Sequence, residues 1–597
     1  MELKPCLQEQ LDVEFQDVCY SVKIFKNYVQ TIGKLDILHG VSGRFGHGKL
    51  SAIMGSSGAG KSSLLNALSG YVTIGVSGDI ICDRKNICYI VQEDEHGENF
   101  TVGELMNLAC DLRLGRKQRS EKKEIISKIL IKLSMNHRVD VKPYKLSGGE
   151  RKRLSIALEL VANPKILFLD EPISGLDEVT ARQCIQLLST LAKEGHTIVC
   201  TVHQPSMTIF NYFDSVYVLG KGQCVYQGPP RSLIPFLQHI QRECPMQYSP
   251  PDYIIELCDF EGEKIIPLMS EAVGNGKYIY YDDAEIKINN NINGIQKPFR
   301  RTIAEQTALE DSRFALRNEE ISGFYQFKVL FTFMMLKIVR ARISLLLQFV
   351  HHSLVGVCMG LLIWNKGNEG ALMYEHMKFC VINILMVAYT QIIIPVLGYP
   401  TDVKLLKKET FNHWYTLPPY YAAFCLSRVP LQIFLNVMYL GTTYTMYGLP
   451  MQWSRFILFV LAVQMTSFVA EGIGLTIAST FNIINGTVVG PVTIATFLGT
   501  AIYGFDFVSR IPKIVDILLT FTFMRVGCKA LIFTLFGFGR EKLNCDDYFC
   551  HFSDPRVLLK FLGLHKTSFQ EQILLLLIMV IFFRILFYLG LRRRCKT

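Results

Sequence analysis

Residues 55–62, with the sequence GSSGAGKS, carry the most specific chemistry of the chain. They fit the pattern G-x-x-x-x-G-K-[S/T], in which glycines allow a tight turn and backbone N–H groups point at phosphate oxygens. Lys61 supplies a cation for the β- and γ-phosphates, and the Ser62 hydroxyl is placed to bind Mg²⁺. The residues predicted to contact a nucleotide in this loop are Gly55, Ser56, Ser57, Gly58, Ala59, Gly60, Lys61, Ser62 and Ser63.

Two adjacent carboxylates, Asp170 and Glu171, follow the apolar segment 166–169. An acidic residue at the end of a buried strand is suited to holding Mg²⁺ through water, and the next carboxylate is placed to polarise an attacking water. Gln92, which follows the predicted strand 88–91, can reach the same metal ion and water. The sequence therefore predicts a metal site made by Ser62, Gln92 and Asp170, with Glu171 as the catalytic base.

A second predicted anion site lies at residues 146–150, LSGGE. Ser147 can cap the helix that begins there, and the two glycines leave the N–H groups at the helix start unobstructed. The predicted nucleotide contacts of this site are Ser147, Gly148, Gly149 and Glu150.

Two further polar residues stand close to predicted strands. Asp177 belongs to the sequence SGLD that follows the carboxylate pair, and we expect it to lie near the nucleotide. His203 ends the apolar strand 197–202, where an imidazole can contact a γ-phosphate. A single histidine is more often structural, but this one occupies the expected next place in the order of elements.

The elements that must position these residues are strands that end in functional loops. The apolar run 50–54 reads as a strand before the phosphate-binding loop, and 63–68 reads as the first turns of a helix after it. Residues 11–20 form an earlier predicted strand. Tyr20 and Val22 at its end are candidates to pack on an adenine ring, with ordinary core packing as the alternative.

These six elements, in this order, resemble those of an ABC-type ATPase. Residues 55–62 resemble its Walker A loop, LSGGE its signature, and Asp170 with Glu171 its Walker B strand and base. Gln92, Asp177 and His203 match its Q-loop, D-loop and switch histidine. The resemblance implies an α/β nucleotide-binding domain over residues 1–258 that uses ATP and Mg²⁺ and lies in the cytosol. The start of the chain shows no charged-then-apolar signal peptide, which supports a cytosolic N-terminus.

The second half of the chain has a different character. Of the 597 residues, 50% are hydrophobic, and the mean hydropathy is +0.25, because long apolar runs are concentrated after residue 342. Runs of this length can span a bilayer. We therefore predict an all-α domain over 342–597 with an extracellular region at about 506–568. The six predicted spans are 343–364, 377–398, 420–446, 456–477, 488–505 and 570–591.

Two segments separate these domains. Residues 259–322 mix charged residues with few aliphatic ones and read as a flexible linker. Residues 323–341 have apolar residues at helical spacing with interrupting cations, which indicates an amphipathic connecting helix at the cytosolic interface.

Charge and cysteine content exclude other classes of function. The net charge of +10 does not indicate nucleic-acid binding, because the basic residues cluster beside the apolar runs, as expected for cytosolic loops of a membrane protein. Six spans return the C-terminus to the cytosol. The 17 cysteines contain no C-x-x-C pair, so a zinc site is not expected.

The order of domains and several phrases resemble subfamily G of the ABC transporters, the White-type half-transporters. The ATPase precedes the membrane domain. The matching short motifs include LELV at 158–161, HQPS at 203–206 and GQCVY at 222–226. KETFNHWY at 408–415 is similar to a stretch that meets the ATPase in relatives, which makes Glu409 a candidate for coupling. The match covers nearly the whole chain outside the linker and is nearest to the branch of lipid and sterol exporters and its insect relatives.

This resemblance implies a half-transporter that works as a homodimer, or as a heterodimer with another subfamily G chain, because one chain holds one Walker A loop and one signature. It implies a multi-pass protein of the plasma membrane or an intracellular membrane, in contact with membrane lipids. The expected substrate is a hydrophobic small molecule such as a lipid or sterol. The alternatives are pigment precursors or other small metabolites, or a regulatory role as partner of another half-transporter.

Two features of the membrane half are singled out. Glu471 lies inside the fourth span, where a carboxylate is costly and usually faces a cavity or a partner. We expect it to face the central cavity or the subunit interface. The resemblance suggests a disulfide within the chain between Cys545 and Cys550, with a bond between chains as the alternative.

Overall fold

The computed structural model describes residues 12–26, 30–93, 96–115, 121–281, 321–503, 513–545, 550–564 and 567–596. These residues divide into two compact units. The first unit holds the described residues up to Val329 together with Lys408–Thr416, and the second holds Leu330–Lys407 and Leu417–Lys596. The short segment Lys408–Thr416 therefore packs with the N-terminal unit, although membrane-type helices flank it in the sequence.

The first unit is built on a six-stranded sheet in the order β5-β6-β7-β3-β8-β9. The first five strands in this order run parallel, and β9 pairs antiparallel with β8. Their residues are almost entirely buried, which is why the strands read as continuous apolar runs. The strands are β3 (Leu50–Gly55), β5 (Ile87–Ile90), β6 (Ile166–Leu169), β7 (Thr197–Thr201), β8 (Ser215–Gly220) and β9 (Gln223–Gly228).

A second, antiparallel sheet has the order β2-β1-β4. Its strands are β1 (Val13–Lys26), β2 (Gln30–Phe45) and β4 (Val76–Ile81). Phe15 and Phe45 from this sheet pack against Tyr217 of β8, with ring centroids 5.7 and 5.9 Å from the tyrosine. The two sheets thus share one aromatic cluster.

Helices cover the sheets of the first unit. They are α1 (Lys61–Ser69), α2 (Val102–Arg113), α3 (Lys122–Lys132), α4 (Gly148–Leu160), α5 (Glu178–Lys193), α6 (Met207–Phe210), α7 (Leu233–His239), α8 (Pro250–Phe260) and α9 (Gly262–Ala272). The predicted flexible linker was wrong in its first part, because α9 follows residue 259 almost at once. Ile265, Ile266 and Met269 of α9 are buried. Their spacing forms the apolar face of a helix, a signal that the neighbouring charged residues obscured. Residues 282–320 of that linker lie outside the described residues.

Helix α10 (Gly323–Arg340) coincides with the predicted connecting helix. Its first part belongs to the first unit, where the Gln326 side chain accepts a hydrogen bond from the Thr416 backbone N–H at 3.1 Å. Its second part belongs to the second unit, where Lys337 pairs with Asp402 at 2.8 Å.

The second unit is helical. Among the described residues, five helices are long and apolar enough to cross a membrane: α11 (Arg342–Leu362), α12 (Met373–Phe411), α13 (Leu417–Met446), α14 (Trp453–Thr480) and α19 (Phe569–Lys596). The fifth predicted span corresponds to α15 (Ile483–Tyr503), whose described apolar part, Ile483–Gly499, is shorter. Helix α12 extends past the predicted end of its span and carries its last residues into the first unit.

The predicted extracellular region contains α16 (Lys513–Thr520), α17 (Phe523–Phe536) and α18 (Pro555–Phe561). Helix α17 was not predicted, yet nearly all of its side chains are buried. Cys545 and Cys550 form a disulfide within the chain.

Candidate nucleotide-binding and catalytic site

The predicted site residues lie where neighbouring parallel strands end. Gly55 ends β3, and Gln92, Asp170 and His203 come shortly after β5, β6 and β7. Because the carboxyl ends of parallel strands meet at one edge of the sheet, these residues are gathered at one edge. The predicted α/β topology therefore explains why residues far apart in sequence form a site.

The loop after β3 requires glycine at two positions for separate reasons. Gly55 has φ of 150°, and a Cβ atom there would collide with the carbonyl oxygen of Leu219 on β8. Gly60 has φ of 101° and is the N-cap of α1. The loop thus turns tightly into the N-terminus of a helix, which is a favourable place for phosphate.

The Lys61 side chain folds back on this loop. Its ammonium donates hydrogen bonds to the carbonyl oxygens of Gly55 and Ser56, both at 2.8 Å. Burial lowers the pKa of Lys61, and the carboxylates of Glu171 and Asp170 oppose this shift. The cation is therefore held at the loop, where anionic phosphate would stabilise its charged form.

Asp170 is bound by hydroxyl groups. Its Oδ1 accepts hydrogen bonds from Ser62 Oγ at 2.9 Å and from Thr201 Oγ1 at 2.7 Å. A carboxylate beside a hydroxyl is a hard oxygen donor set of the kind that Mg²⁺ prefers, so Ser62 and Asp170 fit this ion. Thr201 was missed by the sequence analysis. It lies directly before Val202 and His203, and a polar residue ending a buried apolar strand was the available signal.

Glu171 has an unusual backbone and a defined partner. Its φ is 46°, in the left-handed region that non-glycine residues rarely adopt, and such strain is concentrated at functional sites. The backbone N–H of Glu171 donates to Thr201 Oγ1 at 2.8 Å. Its side-chain Oε2 accepts a hydrogen bond from Gln92 Nε2 at 2.7 Å. Gln92 thus contacts the predicted base, and its hydrogen bond does not go to Ser62 or Asp170.

Three predicted residues make no hydrogen bond to Lys61, Asp170 or Glu171 among the described contacts. His203 follows β7 and is exposed. Tyr20 and Val22 lie in β1, where Tyr20 is half-buried and Val22 is 39% exposed. Val22 is therefore not a core residue and is open to a ligand.

The LSGGE segment forms a helix N-terminus, as predicted for Ser147. Ser147 Oγ accepts from the Glu150 N–H at 3.2 Å, and Glu150 Oε2 accepts from the Ser147 N–H at 2.9 Å, a capping box. Gly149 has a packing reason to be glycine, since a Cβ atom there would collide with Thr180 in α5. Asp177 caps α5 through a hydrogen bond from the Thr180 N–H at 3.0 Å.

The segment Lys408–Thr416 binds close to the carboxylates within the first unit. The Asn412 side-chain amide accepts from the Tyr89 N–H and donates to the Tyr89 carbonyl, both at 2.9 Å. Phe411 packs edge-on against Tyr71 and Tyr89 at 5.1 and 6.2 Å. The Tyr89 hydroxyl lies 3.4 Å from Asp170 Oδ2. Tyr89 therefore contacts both this segment and the predicted metal ligand.

A buried ion pair supports the same segment. Arg113 Nη1 pairs with Glu159 Oε2 at 2.6 Å, and their side chains are 6% and 1% exposed. Trp414 Nε1 donates to Glu159 Oε1 at 3.2 Å. Glu409, the predicted coupling residue, accepts a hydrogen bond from Tyr415 within the segment. Glu159, Asn412 and Trp414 lie within motifs that carry the family resemblance, but no local pattern marked these three side chains as functional.

Comparison with known proteins agrees with this geometry. Residues 38–174 match the ABC transporter family, and residues 325–536 and 203–270 match two families of ABC-2 type transporters. The chain is 26% identical to ABC transporter G family member 14 of Arabidopsis thaliana over 98% of its length and 92% of that protein. It is 27% identical to the broad substrate specificity ATP-binding cassette transporter ABCG2 of Bos taurus over 84% of its length and 79% of that protein.

A third relative is ABC transporter G family member 4 of Dictyostelium discoideum, with 26% identity over 94% of this chain and 70% of that protein. The predicted fold, an α/β ATPase domain followed by a helical membrane domain, is confirmed. An ATP-hydrolysing domain and an ABC-2 type membrane domain follow one another in this order, and G family transporters match nearly the whole chain. These findings support a half-transporter of the G family type of ABC transporters, in which ATP hydrolysis is coupled to transport.

Proposed function

We propose that two such chains, as a homodimer or with another G family chain, use Mg·ATP to move a hydrophobic substrate such as a lipid or sterol across a membrane. The observation that carries the proposal is the contact chain from Asp170 through Tyr89 to Asn412. It brings a predicted metal ligand next to a segment that is continuous with two membrane-type helices. The lipid or sterol assignment rests on resemblance alone.

In the proposed reaction the first unit binds and positions ATP. The loop N–H groups and Lys61 hold the phosphates, and Ser62 and Asp170 hold the metal ion, which neutralises negative charge on the phosphates. Glu171 accepts a proton from the attacking water, and Gln92 holds the Glu171 side chain in place until ATP and water arrive. Val22 and Tyr20 provide a surface for the adenine ring.

The dimer follows from the number of motifs. In this mechanism ATP binds between the phosphate-binding loop of one chain and the LSGGE segment of the other, and this chain has one of each. Closure on ATP would shift Tyr89, and with it Asn412 and the helices that continue from the segment. The membrane cavity would then open toward the other side.

The orientation in the membrane is inferred from charge. Lys404, Lys407 and Lys408 lie between the second and third spans, and Arg592, Arg593 and Arg594 follow the last span. Positive charge beside apolar spans marks the cytosolic side. The ATPase domain and both ends of the chain are therefore placed in the cytosol, and the membrane is the plasma membrane or an intracellular one.

The test is Mg·ATP hydrolysis by the purified chain in lipid nanodiscs, with and without sterol, beside a Glu171→Gln variant. Hydrolysis that disappears in the variant supports a catalytic homodimer, and stimulation by sterol supports the substrate class. Stimulation by a small polar metabolite instead would move the substrate to the alternative class. Hydrolysis no faster than that of the variant contradicts the homodimer and requires a partner chain.

A further inference from the structure

A single buried hydroxyl joins the two consecutive carboxylates of the site. Thr201 Oγ1 donates its proton to Asp170 Oδ1 at 2.7 Å and accepts the backbone N–H of Glu171 at 2.8 Å. Thr201 is fully buried at the end of β7, next to β6 in the sheet. Both hydrogen bonds are fixed by strand pairing, because residues of β6 and β7 are in parallel register up to Leu169 and Cys200.

Each of these hydrogen bonds has a separate consequence. The bond to Asp170 restricts the rotamer of the carboxylate. Ser62, which is far from Thr201 in the sequence, donates a hydrogen bond to the same carboxylate oxygen. The bond from Glu171 satisfies the N–H of a residue held at φ of 46°. Without an acceptor there, this strained backbone would lose the group that holds it.

We propose that Thr201 is a positioning residue for ATP hydrolysis: its hydroxyl sets the position of the Asp170 carboxylate toward the metal ion and the backbone of Glu171 toward the attacking water. None of the sequence motifs that predict the site contains Thr201. The inference rests on the proposed function, since it assumes that Asp170 binds the metal and that Glu171 is the base. Partners of metal ligands commonly affect metal affinity or activity by about 10- to 100-fold.

The decisive variant is Thr201→Val, which keeps the shape of the side chain and removes both hydrogen bonds. Thr201→Ser keeps the hydroxyl. The matched control is Thr197→Val, since Thr197 is equally buried at the other end of β7, where its hydroxyl lies 3.4 Å from His47 Nδ1. Two quantities are measured for each chain in nanodiscs: kcat for Mg·ATP hydrolysis, and the affinity for a fluorescent ATP analogue with Mg²⁺ and with EDTA.

The loss of kcat and of Mg²⁺-dependent affinity is expected only for substitutions of Thr201, at the carboxyl end of β7. Thr201→Val should lower kcat by about 10- to 100-fold and reduce the gain in nucleotide affinity that Mg²⁺ gives, with affinity in EDTA unchanged. Thr201→Ser should retain most of both quantities, and Thr197→Val should stay within about twofold of the unmodified chain.

Two outcomes overturn the proposal. One is a Thr201→Val chain whose kcat and Mg²⁺-dependent affinity match those of the unmodified chain. The other is general damage to the sheet. It would show as an equal loss of kcat in Thr201→Val and Thr197→Val, or as a loss of nucleotide affinity in EDTA. If the unmodified chain alone does not hydrolyse ATP, the homodimer proposal fails, but the Mg²⁺-dependent affinities still decide the role of Thr201.

Discussion

Two carboxylates, Asp170, which is half-buried in the first unit, and Glu471, which is buried in the second, have opposite surroundings. Asp170 Oδ1 is bound by the hydroxyls of Ser62 and Thr201. Glu471 is 1% exposed, and its two oxygens pair with the guanidinium groups of Arg428, at 2.8 Å, and Arg584. Hydroxyl partners leave the negative charge of Asp170 available to a cation, whereas two arginines more than neutralise Glu471.

The surroundings of Glu471 favour a structural role for this carboxylate. Arg428, Glu471 and Arg584 lie in α13, α14 and α19, so the ion-pair cluster joins three membrane-type helices of the second unit. Our expectation that Glu471 faces the central cavity or the subunit interface is not supported, because the carboxylate is enclosed within the unit. A charge inside a membrane needs such partners, and arginine supplies them with directional hydrogen bonds.

The largest effect on activity is expected for Asp170→Asn. The amide keeps the shape and can still accept the hydroxyl hydrogen bonds, but it lacks the charge that would hold Mg²⁺ in the proposed reaction. We expect hydrolysis to fall by about a thousandfold, equivalent to about 4 kcal/mol in the activation barrier. The thermal unfolding temperature should change little. A large loss of thermal stability with residual activity would show that Asp170 is structural and would remove the contrast with Glu471.

The reverse pattern is expected for Glu471→Gln, which leaves the half-buried guanidinium groups of Arg428 and Arg584 without a carboxylate. Removing one partner of a buried ion pair costs about 3–5 kcal/mol. Thermal unfolding in detergent should therefore occur at markedly lower temperature, while ATP hydrolysis per folded molecule changes little. Glu571→Gln, at an exposed glutamate of α19, is the matched control. Unchanged stability together with altered transport would restore a cavity role for Glu471.

A third variant tests whether Asp170 is coupled through Tyr89 to the segment Lys408–Thr416. Asn412→Leu removes both hydrogen bonds to Tyr89 and leaves two buried backbone groups unsatisfied, at about 1–3 kcal/mol each. Transport should fall more than basal ATP hydrolysis, because the nucleotide site itself is intact. Glu409→Gln serves as the comparison and should have the smaller effect, since the amide oxygen of glutamine can still accept the hydrogen bond from Tyr415. Equal loss of transport and hydrolysis in Asn412→Leu would argue against coupling at this contact.

The smallest effect is expected at Glu150, a carboxylate with a third kind of surroundings. It accepts the Ser147 N–H and pairs with Arg138, whose side chain is 41% exposed. Glu150→Gln preserves the cap and loses a half-exposed ion pair, which contributes about 1 kcal/mol or less. Thermal stability should shift only slightly and kcat should stay within about threefold. A loss as large as that in Asp170→Asn would give Glu150 a direct role in hydrolysis.

The proposed site residues that stand at short, fixed spacing could be predicted from the sequence, and those that connect neighbouring strands could not. Lys61, Asp170 and Glu171 could be found because each lies in a local motif at a strand end. Thr201 and Tyr89 could not, since their importance depends on the order of strands in the sheet. The partners of Glu471 lie 43 and 113 residues away, and no local pattern links them. Helix α17 was missed because a short buried apolar helix resembles neither a span nor an amphipathic helix.

The placement of Lys408–Thr416 in the first unit has a consequence for building hybrid transporters. A chimera that joins this ATPase domain to the membrane helices of a relative would normally be cut once, after residue 322. Such a cut replaces Asn412 and Trp414 with the relative's residues against an unchanged Tyr89 and Glu159. A functional hybrid therefore requires that the N-terminal domain and the nine residues Lys408–Thr416 be taken from the same parent protein.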